Sequence, residues 1–156
     1  MHTCEKDWID VLSALLTPTI ALVAVGIAAF QLRLANTKVK FDLFEKRYAV
    51  YSAVNEFIGQ TLSAGNSTPD MQREFLNGTN SAQFLFDESF AKFIHTVWCE
   101  VIDLETSCTI IAQPSSADER QEHVQKRAAI KKSLAKRLGE LNELSKPYLK
   151  LRGSTP

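Results

Sequence analysis

The sequence predicts an all-α protein, with one N-terminal transmembrane helix continuing into a cytoplasmic antiparallel helical bundle of about three long helices plus a short one. Three observations predict it. Residues 11 to 32, VLSALLTPTIALVAVGIAAFQL, carry no charge. Downstream, apolar residues recur at spacings of three and four. Ser, Gly, Asn and Pro cluster between those periodic stretches. The chain therefore divides into an extracytoplasmic N-terminus (1–10), a transmembrane helix (11–32), a cytoplasmic helical domain (33–150) and a flexible tail (151–156).

The 22 uncharged residues make a helix of roughly 33 Å at about 1.5 Å per residue, close to the thickness of a bilayer core. A buried core helix of that length would be unusual in so small a domain. A secretory signal is the other alternative, since Ala24-Val25-Gly26 looks like a small-residue cleavage site. Against it, Glu5, Asp7 and Asp10 outnumber Lys6 in the leading segment, and the apolar run exceeds the roughly 7 to 15 residues of a signal core. Direction follows from the basic residues: Arg33, Lys38, Lys40, Lys46 and Arg47 follow the span and only Lys6 precedes it, so the positive-inside rule puts the C-terminal side in the cytoplasm. In that topology the sequons Asn66-Ser67-Thr68 and Asn77-Gly78-Thr79 stay unmodified.

Placed at 100° steps, Ser13, Thr17, Ala21, Ala24 and Ala28 share one side of this helix, and Leu12, Leu15, Leu16, Leu22, Val23, Ile27 and Phe30 cover the other. A small face lets helix backbones approach closely in lipid, which makes it a candidate for helix–helix packing and self-association, although Ala, Ser and Thr are common in any such helix. Pro18 removes one backbone donor inside the span, as a static bend or as a hinge.

Beyond Arg33, the spacing of Phe41, Phe44, Tyr48, Tyr51 and Ile58 predicts that the first cytoplasmic helix continues the membrane helix and frays at Gly59 and Ser63 to Pro69. Thr68-Pro69 reads as an N-cap with Pro at the first helical position, opening a short helix that Gly78 ends. Asp87 is the expected cap of a second long helix with the stripe Phe90, Ile94, Val97, Val101, Leu104, Cys108 and Ile111. After the Gln113–Ser116 turn, Ser116 caps a last helix whose stripe is Ile130, Leu134, Leu138 and Leu141 and which Pro147 stops. Eight of the nine Phe, Trp98 and all three Tyr lie beyond residue 40, enough for a core.

Chemistry is sparse. Eighteen basic and eighteen acidic residues cancel, unlike a dedicated nucleic-acid binder. Cys4, Cys99 and Cys108 show neither CxxC spacing nor zinc-ligand partners, and on one helix Cys99 and Cys108 stand roughly 13 Å apart, too far for a disulfide. His95 and His123 are read as lacking a Cys nucleophile or second ligand at i+4, and no glycine-rich phosphate loop is present. No catalytic residue, metal site or cofactor is expected. From Arg120 to Arg137 there are seven basic residues and one acid, Glu122. Within it Lys126, Arg127, Lys131, Lys132, Lys136 and Arg137 form a candidate basic patch, suited to anionic lipid or an acidic protein and less to nucleic acid, for want of stacking aromatics. The basic residues also spread around the helix as on an ordinary solvated face.

Lys40-Phe41-Asp42-Leu43-Phe44-Glu45-Lys46-Arg47-Tyr48-Ala49-Val50-Tyr51, directly after a membrane helix containing Leu16-Thr17-Pro18-Thr19-Ile20-Ala21, resembles a group of small uncharacterised bacterial single-pass inner-membrane proteins. Phe84-Leu85-Phe86 and Pro147-Tyr148-Leu149 extend the likeness over most of the chain. The resemblance implies a bacterial inner-membrane setting and brings no activity, cofactor or site residue. Physically, the aromatics of this run are expected to face the bundle, with Lys40, Lys46 and Arg47 near the headgroups. The function expected is a non-enzymatic, membrane-tethered module whose partners are the bilayer, a cytoplasmic protein or copies of itself. The alternative is a membrane-perturbing or pore-forming effector, as in stress or phage defence, that oligomerises through its transmembrane helix.

Overall fold

Helix α1, Lys6–Ala64, opens a computed structural model that describes the backbone of residues 6–150 and the side chains of 15, 16 and 18–150. His2, Cys4 and the tail 151–156 lie outside the described residues, as do the side chains of Ser13 and Thr17. Four further helices follow: α2 (Pro69–Thr79), α3 (Ala82–Leu85), α4 (Glu88–Ala112) and α5 (Ala117–Leu149). Among the described residues there is no strand. The chain divides into two compact units, Met1–Asp42 and Leu43–Pro156.

In the first unit the helix carries Pro18 without a break. Pro18 has no N–H to donate, and the hydroxyl of Thr19 turns back onto the carbonyls of Leu15 and Leu16. The described side chains of this unit are exposed, among them Leu22, Val23, Val25 and Phe30.

In the second unit the core draws on every helix. Val50, Val54, Phe57 and Ile58 of α1 meet Phe75 of α2, Ala82 of α3, Phe90, Phe93, Val97, Val101 and Leu104 of α4, and Leu134 and Leu141 of α5. Aromatic stacking ties α1, α2 and α4, with Phe57 4.3 Å from Phe75 and Phe75 6.0 Å from Trp98. The stripes expected on α4 and α5 are the faces that pack, with Phe93 and Ser107 buried as well. On α1 the expected stripe is displaced. Ile58 is buried as expected, but Tyr48 is 51 % exposed and Phe41 57 %, because the buried face is set by Val50, Val54, Phe57 and Thr61, about a third of a turn round from the aromatics.

The helix starts follow local chemistry. Thr68, Asp87 and Ser116 each accept a hydrogen bond from the backbone N–H three residues on, at 3.3, 3.1 and 3.1 Å, and Pro69 occupies the first position of α2. Helix ends depart from expectation in three places. α1 runs through Gly59 to Ala64, since buried Phe57, Ile58 and Thr61 hold both sides of the glycine helical. It stops at Gly65, whose φ of +79° only glycine adopts cheaply and whose N–H closes on Thr61 O at 2.9 Å. α5 passes through Pro147 to Leu149, where the proline forfeits one hydrogen bond in the last turn while Tyr148 packs 5.0 Å from Phe86.

Gly78 lies inside α2, one residue before its end at Thr79, and a Cβ there would come within 2.6 Å of Ala53 Cβ. The glycine lets α2 approach α1. Gly78→Ala is therefore expected to destabilise: overpacking against a rigid methyl costs about 1–3 kcal/mol, more than the roughly 1 kcal/mol gained in helix propensity. Denaturant titration of the single variant and of the double variant with Ala53→Gly checks this, since the second change should restore most of the loss.

Candidate functional site

The residues singled out in the sequence fall into separate places. On the apolar segment, Ala21, Ala24 and Ala28 are exposed along α1, as are Arg33, Lys38 and Lys40 beyond it. Lys46 is exposed too. Arg47 is half-buried and engaged, because its Nε donates to Leu85 O at 3.1 Å and its guanidinium lies 5.3 Å from the centre of the Tyr148 ring. It serves as a clamp between α1, α3 and α5.

That clamp closes one end of the second unit. Phe86 stacks on Phe90 at 3.9 Å and meets Tyr148 edge-on, with Asp87 beside them capping α4. Hydrogen bonds from Ser89 and from the Phe90 N–H hold the Asp87 carboxyl below its ordinary range, and burial together with Asp87 pushes the Tyr148 phenol up. A carboxyl with a lowered folded-state pKa adds stability above its unfolded value, near 4, and loses it as pH falls through the folded value. Asp87→Ala is thus expected to be less stable than wild type at neutral pH, with the gap closing below about pH 4. Acid titration of the melting temperature of both proteins reads it directly.

The six basic residues of α5 differ in what holds them. Arg137 donates to Glu100 Oε1 from Nη2 at 2.7 Å and to Glu140 Oε2 from Nη1 at 2.6 Å, and Ser133 adds a 3.0 Å bond to the same Glu100 oxygen. With Arg137 24 % and Glu100 18 % exposed, this is a half-buried tie between α4 and α5. Its bonds to Glu100 raise the Arg137 pKa, and Arg137 in turn holds the Glu140 carboxyl below its ordinary range. Lys136 flanks Glu140 at 3.6 Å. Lys131 Nζ and Arg127 Nη2 reach the end of α1, 2.9 and 3.1 Å from where a Cβ of Gly65 would lie, so they offset the negative pole of that helix. Lys126 and Lys132 remain as exposed cations with no ion-pair partner among the described residues.

One pairing corrects the sequence reading. Cys99 does stand four residues after His95, and its sulfur is 3.7 Å from His95 Nδ1 on the exposed side of α4. Among the described residues no third group is hydrogen-bonded to the imidazole to orient it, as thiol activation would require. Cys99 and Cys108 are free thiols. Among the described residues, no three His, Cys, Asp or Glu side chains come together as a metal site. A cleft of 440 Å³ between α1 and α2 is floored by Phe57 and Phe75 and edged by Glu56, Gln60 and Glu74.

The segment that stands out is therefore the apolar one: α1 contains a helix long and apolar enough to cross a membrane, and none of its most apolar window is buried. No family model, curated protein or solved structure matches the chain.

Proposed function

We propose that the protein is a non-enzymatic, single-pass, membrane-anchored helical module of the bacterial inner membrane. In this reading residues 11–32 cross the bilayer with the N-terminus outside. Residues 33–150 lie in the cytoplasm, where the long helices form an antiparallel bundle offered to a protein partner or to copies of the chain. The observation that carries it is the complete exposure of the apolar window. A core helix would be mostly buried. Leu15, Leu16, Ile20, Leu22, Val23, Val25, Ile27 and Phe30 are each more than half exposed, a contiguous apolar surface that a protein in water rarely leaves uncovered. The charge step at Arg33 to Arg47 supports the direction.

The test is fractionation of the full chain with C-terminal reporters. Retention in alkaline-washed membranes, a fluorescent green-fluorescent-protein fusion and an inactive alkaline-phosphatase fusion are expected. Release into the wash, or a mature chain shortened near Val25, would overturn the reading.

A second reading, a membrane-perturbing effector, draws on the exposed small face at Ala21, Ala24 and Ala28. Depolarisation of a potential-sensitive dye on controlled overexpression, abolished by Ala24→Leu, distinguishes it from a quiet anchor.

A further inference from the structure

The most exposed large apolar side chain among the described residues is Phe84, at 81 %. It sits in a fixed turn. Phe84 N–H donates to Ser81 O at 3.1 Å, Phe86 N–H to Ala82 O at 3.0 Å, and Arg47 holds Leu85 O from the side. Ala82 and Phe86 are buried on either side of it, so the turn is pinned while one aromatic ring is held out in solvent.

The Arg47 bond places this turn at the end of the second unit where the chain comes in, since Leu43 is the first residue of that unit. The same end exposes Leu43 and Tyr48, with Lys46 beside them. A groove of 640 Å³ there is lined by Tyr48, Tyr51, Leu149, Lys146 and Lys150. Rings with a polar tip and lysines on apolar stems suit the headgroup layer of a bilayer. Charge is close to even, because Glu45 is exposed here and Glu143 pairs with Lys146, so apolar contact must dominate. Leu43 follows Leu32 by eleven residues, which reach at most about 40 Å even when fully extended. If residues 11–32 are in lipid, this end cannot leave the vicinity of the membrane.

We propose that this end of the 43–156 unit rests on the lipid surface, with Phe84 inserted at the headgroup boundary. The inference rests on the membrane-anchored reading. It adds a second lipid contact, made by the folded unit itself. The second contact fixes which end of the unit faces the bilayer and leaves the opposite end, around Gln113 and the start of α5, turned toward the cytoplasm.

The test uses the full-length chain in nanodiscs of phosphatidylethanolamine and phosphatidylglycerol, with the photoreactive residue p-benzoylphenylalanine replacing Leu22, Phe84 or Gln113 in turn. Gln113 caps the far end of α4, whose 25 residues span about 37 Å. Because Phe84 is so exposed, its replacement does not threaten folding. Lipid adducts are expected at Leu22 and Phe84, with Phe84 exceeding Gln113 on the order of tenfold, as burial of one aromatic ring implies. Adducts at Leu22 with Phe84 no better than Gln113 would overturn this inference and leave the anchor standing. Absence of lipid adducts at Leu22 would overturn the anchor and the inference together. Protein–protein adducts from Phe84 would show that a second copy covers the ring, and would also overturn it.

Discussion

Phe75→Ala is expected to cost the 43–156 unit about 3–5 kcal/mol, the range for removing a fully buried phenylalanine. Phe75 is 1 % exposed and lies between Phe57 of α1 and Trp98 of α4. The loss has a location as well as a size. Phe75 is the buried ring of α2, with Thr79 buried and Met71 packed beside it, so one ring supplies much of the helix's buried apolar surface. Its removal should free α2 before the rest unfolds. Chemical denaturation in detergent gives the size, and amide hydrogen exchange should show protection lost over residues 69–79 first. Phe75→Leu, which keeps most of the volume, should cost less than about 1.5 kcal/mol. A loss below about 1 kcal/mol for Phe75→Ala would mean that α2 is not held by this stack.

Leu22→Arg is expected to remove most of the chain from alkaline-washed membranes. Leu22 lies near the middle of residues 11–32 and is 72 % exposed. At a helix centre in lipid, arginine in place of leucine shifts insertion by roughly 3–4 kcal/mol, more than a hundredfold in the equilibrium. At an exposed position in water the same change costs almost nothing. Equal membrane recovery of Leu22→Arg and wild type, with Leu22→Phe as the volume control, would count against a bilayer around this segment.

Features set by nearest neighbours along the chain were legible. The caps at Thr68, Asp87 and Ser116 depend on a side chain reaching a backbone N–H three residues away, and the α4 stripe on spacing alone. Proline misled where packing overrode it: Pro147 reads as a stop until Tyr148 is seen on Phe86, and nothing local to Gly78 shows that Ala53 lies against it. Nothing in the basic run of α5 marks Arg137 as the residue tied to Glu100, 37 residues earlier in the chain. Cys99 beside His95 was legible and missed, since i and i+4 share a helix face.

The sequence by itself determined that the chain is helical, where most helices begin, and that its first part holds an uncharged apolar stretch of bilayer length, because propensity, capping and hydropathy act over a few residues. Only the tertiary structure decided which aromatic rings are covered. Phe75 and Phe90 are enclosed and Phe84 is left out, although all three are phenylalanines in or beside helices. Burial depends on what other helices bring to the same place, and partners dozens of residues apart in the chain leave no periodic trace in it.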